Sequence, residues 1–208
     1  MKLQLALDFV DIPTALDILS QTGEHIQIVE VGTPFVINEG LAAVRKIKEH
    51  YPNLTILADL KIMDAGAHET EMAIRAGADI VTVLGVSDDK TILGCVEAAH
   101  KAGCRIMTDM IGVPNLTDRA REIDALGVDY ICVHTAFDVQ STGKNPLEEL
   151  QQLKQVIRNA KTAVAGGVNK NTIGDIVREY PEIIIIGGAI TGSTDRRQAA
   201  SFFQSQLT

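Results

Sequence analysis

Leu54-Thr55-Ile56-Leu57-Ala58-Asp59-Leu60-Lys61-Ile62-Met63-Asp64 reads as a buried strand that ends in three charges. Its first half, Leu54–Ala58, is continuously apolar, as expected of a strand covered on both faces. Side chains two apart share a face, so Asp59 and Lys61 stand together at its end. From Asp64 to Ala76 the pattern turns helical, Gly77 closes it, and Asp79–Leu84 is a second strand-like run. Strand, crossover helix and strand make a parallel βαβ unit. Three charges at a buried strand end must be paired, bound to an ion or used on a ligand. A salt-bridged strand end would satisfy the Asp-x-Lys-x-x-Asp motif taken alone.

The unit repeats along the chain. Strand-like runs fall at Leu3–Asp8, Ile26–Val31, Leu54–Asp59, Asp79–Leu84, Cys104–Asp109, Asp129–His134, Thr162–Ala165 and Ile183–Ile186. Helical patterns alternate with them at 12–21, 38–50, 64–76, 88–102, 115–126, 146–159, 170–179 and 193–206. Leu41, Val44 and Ile47 form one such apolar stripe. Many of these helices start after Asp, Asn or Ser and stop at Gly, as at Gly77, Gly103 and Gly127. Ala76-Gly77-Ala78-Asp79 and Leu126-Gly127-Val128-Asp129 look alike, and each leads into a strand. A repeat of roughly 25 residues with a β-rich half is not a helical solenoid. Eight such units predict one closed (β/α)8 TIM barrel domain over residues 1–208, with a doubly wound open sheet as the alternative.

Composition narrows the class. The 208 residues are 46% hydrophobic and 22% charged, which is the make-up of a globular chain. A formal charge of −8 argues against nucleic acid or an anionic membrane as partner. No apolar run reaches the length of about 18 residues needed to span a bilayer, and no signal peptide is recognisable. Cys95, Cys104 and Cys132 are odd in number and form no C-x-x-C pair, which predicts reduced thiols and a cytoplasmic location.

In such a barrel the active site lies at the C-terminal ends of the strands. Those ends carry Asp8, Glu30, Asp59 with Lys61, Asp109 and His134, while the last two units end in Gly166-Gly167 and Gly187-Gly188. A single aspartate there is commonly a turn or helix cap. Five ionisable strand ends converging on one mouth call for a ligand or metal. The glycine pairs sit where the loops after strands seven and eight often bind phosphate, which predicts a phosphorylated small substrate held by Gly166, Gly167, Gly187, Gly188 and Ala189. Glu30 and Asp59 are the candidates for a hard cation, Mg²⁺ or Mn²⁺, since no Cys/His cluster has zinc spacing. Lys61 would place positive charge beside an enolate-like intermediate, Asp8 would orient it, and His134 is the natural proton-transfer group. The other histidines, His25, His50, His68 and His100, read as surface residues. No serine or cysteine nucleophile emerges.

These residues resemble the orotidine 5′-phosphate decarboxylase suprafamily, and within it the chain looks like the 3-hexulose-6-phosphate synthases. The likeness spans the sequence and is carried by Leu3-Gln4-Leu5-Ala6-Leu7-Asp8, Val29-Glu30-Val31-Gly32-Thr33-Pro34, the Asp59/Lys61/Asp64 motif, Asp109-Met110-Ile111-Gly112-Val113, Asp129–His134 and Gly143-Lys144-Asn145-Pro146-Leu147. It implies a metal-dependent aldol addition of formaldehyde to D-ribulose 5-phosphate through a 1,2-enediolate, giving D-arabino-hex-3-ulose 6-phosphate. It further implies Mg²⁺ on Glu30 and Asp59, His134 moving the C1 proton, Asp109 on substrate hydroxyls or in proton transfer, and a homodimer in which Asp64 enters the neighbouring site. The similar 3-keto-L-gulonate 6-phosphate decarboxylases have Glu where Asp109 stands, Arg where Phe137 stands and Thr where Ala165 stands. They also carry a phosphate-binding arginine where this chain has Gly188, which leaves Arg196 or Arg197 as possible helpers. A sugar-phosphate-binding barrel without activity is the alternative from another class.

Overall fold

Eight parallel strands pair in sequence order, and β8 returns to β1 to close a barrel in the computed structural model, which describes residues 1–140 and 146–207. The strands are β1 Lys2–Leu7, β2 Ile28–Val31, β3 Thr55–Ile62, β4 Ile80–Leu84, β5 Arg105–Asp109, β6 Tyr130–His134, β7 Lys161–Ala165 and β8 Ile183–Ile186. The first half carries helices α1 Ile12–Thr22, α2 Thr33–Glu39, α3 Ala42–His50, α4 Gly66–Arg75 and α5 Asp89–Lys101. The second half carries α6 Leu116–Ala125, α7 Phe137–Gln140, α8 Leu147–Val156, α9 Ile173–Val177, α10 Gly188–Thr191 and α11 Arg196–Gln206. The expected (β/α)8 TIM barrel is therefore the fold.

Two apolar layers follow from strand alternation. Ile28, Leu57, Met107, Tyr130 and Ile183 are among the side chains that fill the interior, while Leu5, Val29, Ile56, Val81 and Ile131 face the helices. The two look-alike segments have one job. Asp79 accepts the Ile56 amide at 2.8 Å and holds Lys48, and Asp129 accepts the Ile106 amide at 2.9 Å and holds His100. Each aspartate thus locks the start of the preceding strand to its own.

Several local details differ from the sequence expectation, and the largest has a clear cause. The helix expected over 38–50 is split, because Gly40 at φ +61° ends α2 and α3 begins afresh. α2 itself opens at Thr33-Pro34, where proline suits a first turn. The expected 170–179 helix shrinks to α9, and Cys104 precedes β5 rather than lying within it. His25 is half-buried, with Nδ1 3.0 Å from Gln204 Oε1, whereas His50, His68 and His100 are exposed.

Candidate active site

β3 does not end as simple alternation predicts. Its register with β4 shifts between Ala58 and Ile62, and Lys61 sits at φ +47°, a left-handed conformation that is unusual for a non-glycine residue. Thr82 of β4 holds this turn by accepting the Lys61 amide at 2.9 Å. The Thr82 hydroxyl in turn donates to Asp59 Oδ1 at 2.8 Å. Asp59 and Lys61 do face one pocket, by way of a bulge. Strained backbone of this kind recurs where a side chain must be aimed.

The pocket lies inside the mouth, and Glu30, Asp59, Lys61, Asp109 and His134 line it together. Lys61 Nζ lies 2.6 Å from Asp59 Oδ2 and 3.2 Å from Asp109 Oδ2. Burial opposes charge on this lysine, but the two carboxylates outweigh it and hold the ammonium protonated well above its ordinary range. Its orientation therefore comes from Asp59 and Asp109 rather than from Asp8, because those buried acids are the ones it reaches. Thr33 Oγ1 donates to Asp59 Oδ2 at 2.8 Å, so both oxygens of Asp59 are engaged.

His134 Nδ1 is 2.9 Å from Asp109 Oδ2, and the Ile111 amide donates to Asp109 Oδ1 at 2.9 Å. Burial works to raise the Asp109 carboxyl, but the bond from His134, with the His134 and Lys61 charges, holds it below the usual carboxylate range. An ionised Asp109 engages Nδ1 as donor and leaves Nε2 as the ring nitrogen not held by the carboxylate. Glu30 is pushed the other way: burial, then the charges of Asp59 and Asp8, raise its carboxyl well above the ordinary value. Asp8 follows β1 and is raised by its burial and by Asp59. A Cβ on Gly32 would lie 2.1 Å from Asp8 Oδ1, so only glycine leaves room for this acid.

The glycine loops occupy the same rim. Gly166 stands at φ +89°, and a Cβ there would lie 2.1 Å from Thr135 O. Asn169 Nδ2 donates to Gly167 O at 2.9 Å and steadies that loop. Gly188 and Ala189 begin α10, where a helix leaves its first N–H groups without internal partners. A Cβ on Gly188 would meet open space. Arg196 and Arg197, the suggested phosphate helpers, are engaged elsewhere: Arg196 with Asp17 at 3.1 Å and with Thr191 O, Arg197 with Glu24. Both begin α11, which packs against α1, the helix that carries Asp17.

Asp64 stands apart from the rest. It is exposed, bonds to the Ala65 amide at 2.7 Å and does not line its own chain's pocket. Its chain neighbour Met63 is exposed, as are the apolar Met72 on α4, Val86 in the loop between β4 and α5, and Leu93 on α5. Gly143-Lys144-Asn145 lies outside the described residues. Sequence reasoning missed Thr33, Thr82 and Gln4; the available signal was a lone polar residue within an apolar strand, as at Leu3-Gln4-Leu5 and Val81-Thr82-Val83. Phe9 was missed as well, and its ring meets Phe137 edge-on at 5.6 Å on the rim.

A divalent cation fits the donor set. Glu30 and Asp59 offer buried oxygen ligands in a cluster whose acids repel one another, and that is the environment a hard cation relieves. Among the described residues no three metal-binding side chains form a ready cage, so water or substrate oxygens would complete the shell.

Known proteins match this arrangement closely. The family described as "Orotidine 5′-phosphate decarboxylase / HUMPS family" matches residues 1–203. A 3-hexulose-6-phosphate synthase of Bacillus subtilis (strain 168) is 54% identical over 201 residues, covering 97% of this chain and 96% of its own. The crystal structure of 3-hexulose-6-phosphate synthase from Salmonella typhimurium has a TM-score of 0.98 at 43% identity, over 100% of this chain and 98% of that one. A 3-keto-L-gulonate-6-phosphate decarboxylase from Vibrio cholerae is more distant, at 26% identity and a TM-score of 0.86, with 99% and 96% covered. The chain belongs to the orotidine 5′-phosphate decarboxylase / HUMPS family, as a lyase-type enzyme that groups with its 3-hexulose-6-phosphate synthases.

Proposed function

We propose that the protein adds formaldehyde to D-ribulose 5-phosphate through a 1,2-enediolate and forms D-arabino-hex-3-ulose 6-phosphate. The observation that carries this reading is the chain of contacts from Lys61 through Asp109 to His134, beside the acids Glu30 and Asp59. Its support from relatives is the synthase name at 54% identity.

His134 Nε2 takes a proton from C1 of the sugar, and Asp109 stabilises the imidazolium that results. Negative charge then develops on the substrate oxygens, and the Lys61 ammonium lies beside them. The C1 carbon attacks formaldehyde, a carbon–carbon bond forms, and the new alkoxide takes up the proton from His134. No atom is lost. Backbone N–H groups of Gly167, Gly188 and Ala189 carry the phosphate charge, since Arg196 and Arg197 are committed elsewhere. Glu30 and Asp59 would hold Mg²⁺ or Mn²⁺, which when bound supplies positive charge to the oxygens of the substrate.

The exposure of Asp64, together with exposed apolar Met63, Met72, Val86 and Leu93 on the same stretch from the end of β3 to α5, supports a homodimer in which Asp64 serves the neighbouring site. The whole chain, 1–208, acts as one barrel domain. A net charge of −8 and the lack, among the described residues, of a helix able to cross a membrane support a cytoplasmic enzyme without nucleic-acid or membrane partners.

Purified protein with Mg²⁺, D-ribulose 5-phosphate and formaldehyde should consume formaldehyde. EDTA or Asp59→Ala should abolish that consumption, and unchanged activity in both would remove the metal from the reading. Failure to consume formaldehyde, together with CO₂ release from 3-keto-L-gulonate 6-phosphate, would replace the synthase by the decarboxylase.

A further inference from the structure

Gln4 lies in the middle of β1, level with Ile28 and Ile185, and is 1% exposed. Its Nε2 donates to Glu30 Oε2 at 2.6 Å, while its own Oε1 is buried and has no hydrogen-bond partner among the described residues. A buried carbonyl oxygen left alone costs about 1–3 kcal/mol, so an amide is a poor choice for mere filling. A methionine or leucine would fill the same space among Ile28, Leu57 and Met107 without that cost.

Glu30 explains the choice. Among the described residues no cation lies within ion-pair distance of its carboxylate, because Lys61 is taken by Asp59 and Asp109. A lysine or arginine at position 4 would fix Glu30 too, but it would neutralise it and repel an incoming cation. An amide fixes the carboxylate by one hydrogen bond and adds no charge. The unpartnered Oε1 offers an acceptor to a water or hydroxyl arriving with the cation. From this geometry we infer that Gln4 is a positioning residue, holding Glu30 as an oriented, un-neutralised ligand for the divalent cation. The inference rests on the metal reading proposed above.

The test is titration of Mn²⁺ alone into the wild type, Gln4→Met, Gln4→Asn and Asp59→Ala, by calorimetry, with thermal melting of each. Gln4→Met should bind Mn²⁺ about 10- to 100-fold more weakly, the usual cost of losing a partner that orients a ligand. Its melting temperature should stay at or above that of the wild type. Gln4→Asn keeps the amide one carbon short of Glu30 and should also bind weakly; it decides the matter if the methionine variant does not fold. A space-filling Gln4 would leave both isotherms unchanged, and that result, with binding lost in Asp59→Ala, overturns this inference alone. A wild type that binds no Mn²⁺ overturns the metal reading and the inference with it.

Discussion

His134 Nδ1 lies 2.9 Å from Asp109 Oδ2, across the β5–β6 boundary, and this bond decides which ring nitrogen is free to act. Asn at position 109 would lose the charge and present an N–H to the ring, reversing the tautomer. Asp109→Asn should lower kcat for formaldehyde consumption by about 100-fold or more, the usual worth of a positioned proton-transfer group. Melting of the variant checks that the barrel is intact.

The two glycine loops should respond in opposite ways. Gly166→Ala meets Thr135 O at 2.1 Å and adopts φ +89°, so it should destabilise the fold by several kcal/mol, about the severe end of single substitutions. Gly188→Ala meets open space in the protein and should fold normally. Its methyl group intrudes where the phosphate is proposed to sit, so KM for the sugar phosphate should rise. Denaturant unfolding and steady-state kinetics separate the two effects.

The raised carboxyl of Glu30 gives a pH dependence of known sign. Without divalent cations the folded protein binds this proton more tightly than the unfolded chain, whose carboxyl titrates near 4.5. That contribution is full below 4.5 and is lost as pH rises toward the folded value. Glu30→Gln should flatten the decline in stability over that range. Some slope should remain, because Asp8 is shifted in the same direction. Asp109 has the opposite sign, and its contribution disappears as pH falls below its ordinary 3.8. Urea midpoints across a pH series measure all three.

Mixing tests the proposed role of Asp64. Lys61→Met and Asp64→Asn should each be inactive as pure proteins. If Asp64 serves the neighbouring site, hybrid dimers contain one site with both native residues, and activity returns on mixing after subunit exchange. No recovery in a mixture shown to contain hybrids would assign Asp64 to another role.

Much of this was legible before the fold was seen, for reasons that differ by residue. Buried parallel strands are near-continuous apolar runs, so all eight appeared in the sequence, and their polar ends located the mouth. The break at Gly40 was hidden because Leu41, Val44 and Ile47 keep a helical period on their own. The bulge at Lys61 was hidden for a different reason: simple alternation and a bulge bring the lysine to the same pocket. Gln4 and Thr82 were overlooked because a lone polar residue in a strand has no meaning until its neighbour across the barrel is known, and Thr33 because it reads as an ordinary helix start before Pro34.

The paired clamps at Asp79 and Asp129 bear on how this enzyme can be altered. They tie strand beginnings together at the end of the barrel away from the mouth, as does Gln27, just before β2, by accepting the Leu3 amide of β1. Toughness and chemistry are thus lodged at opposite poles of one scaffold. A thermally hardened version can be sought among the residues of the far pole, where no exchange brings a new atom near the acids of the mouth.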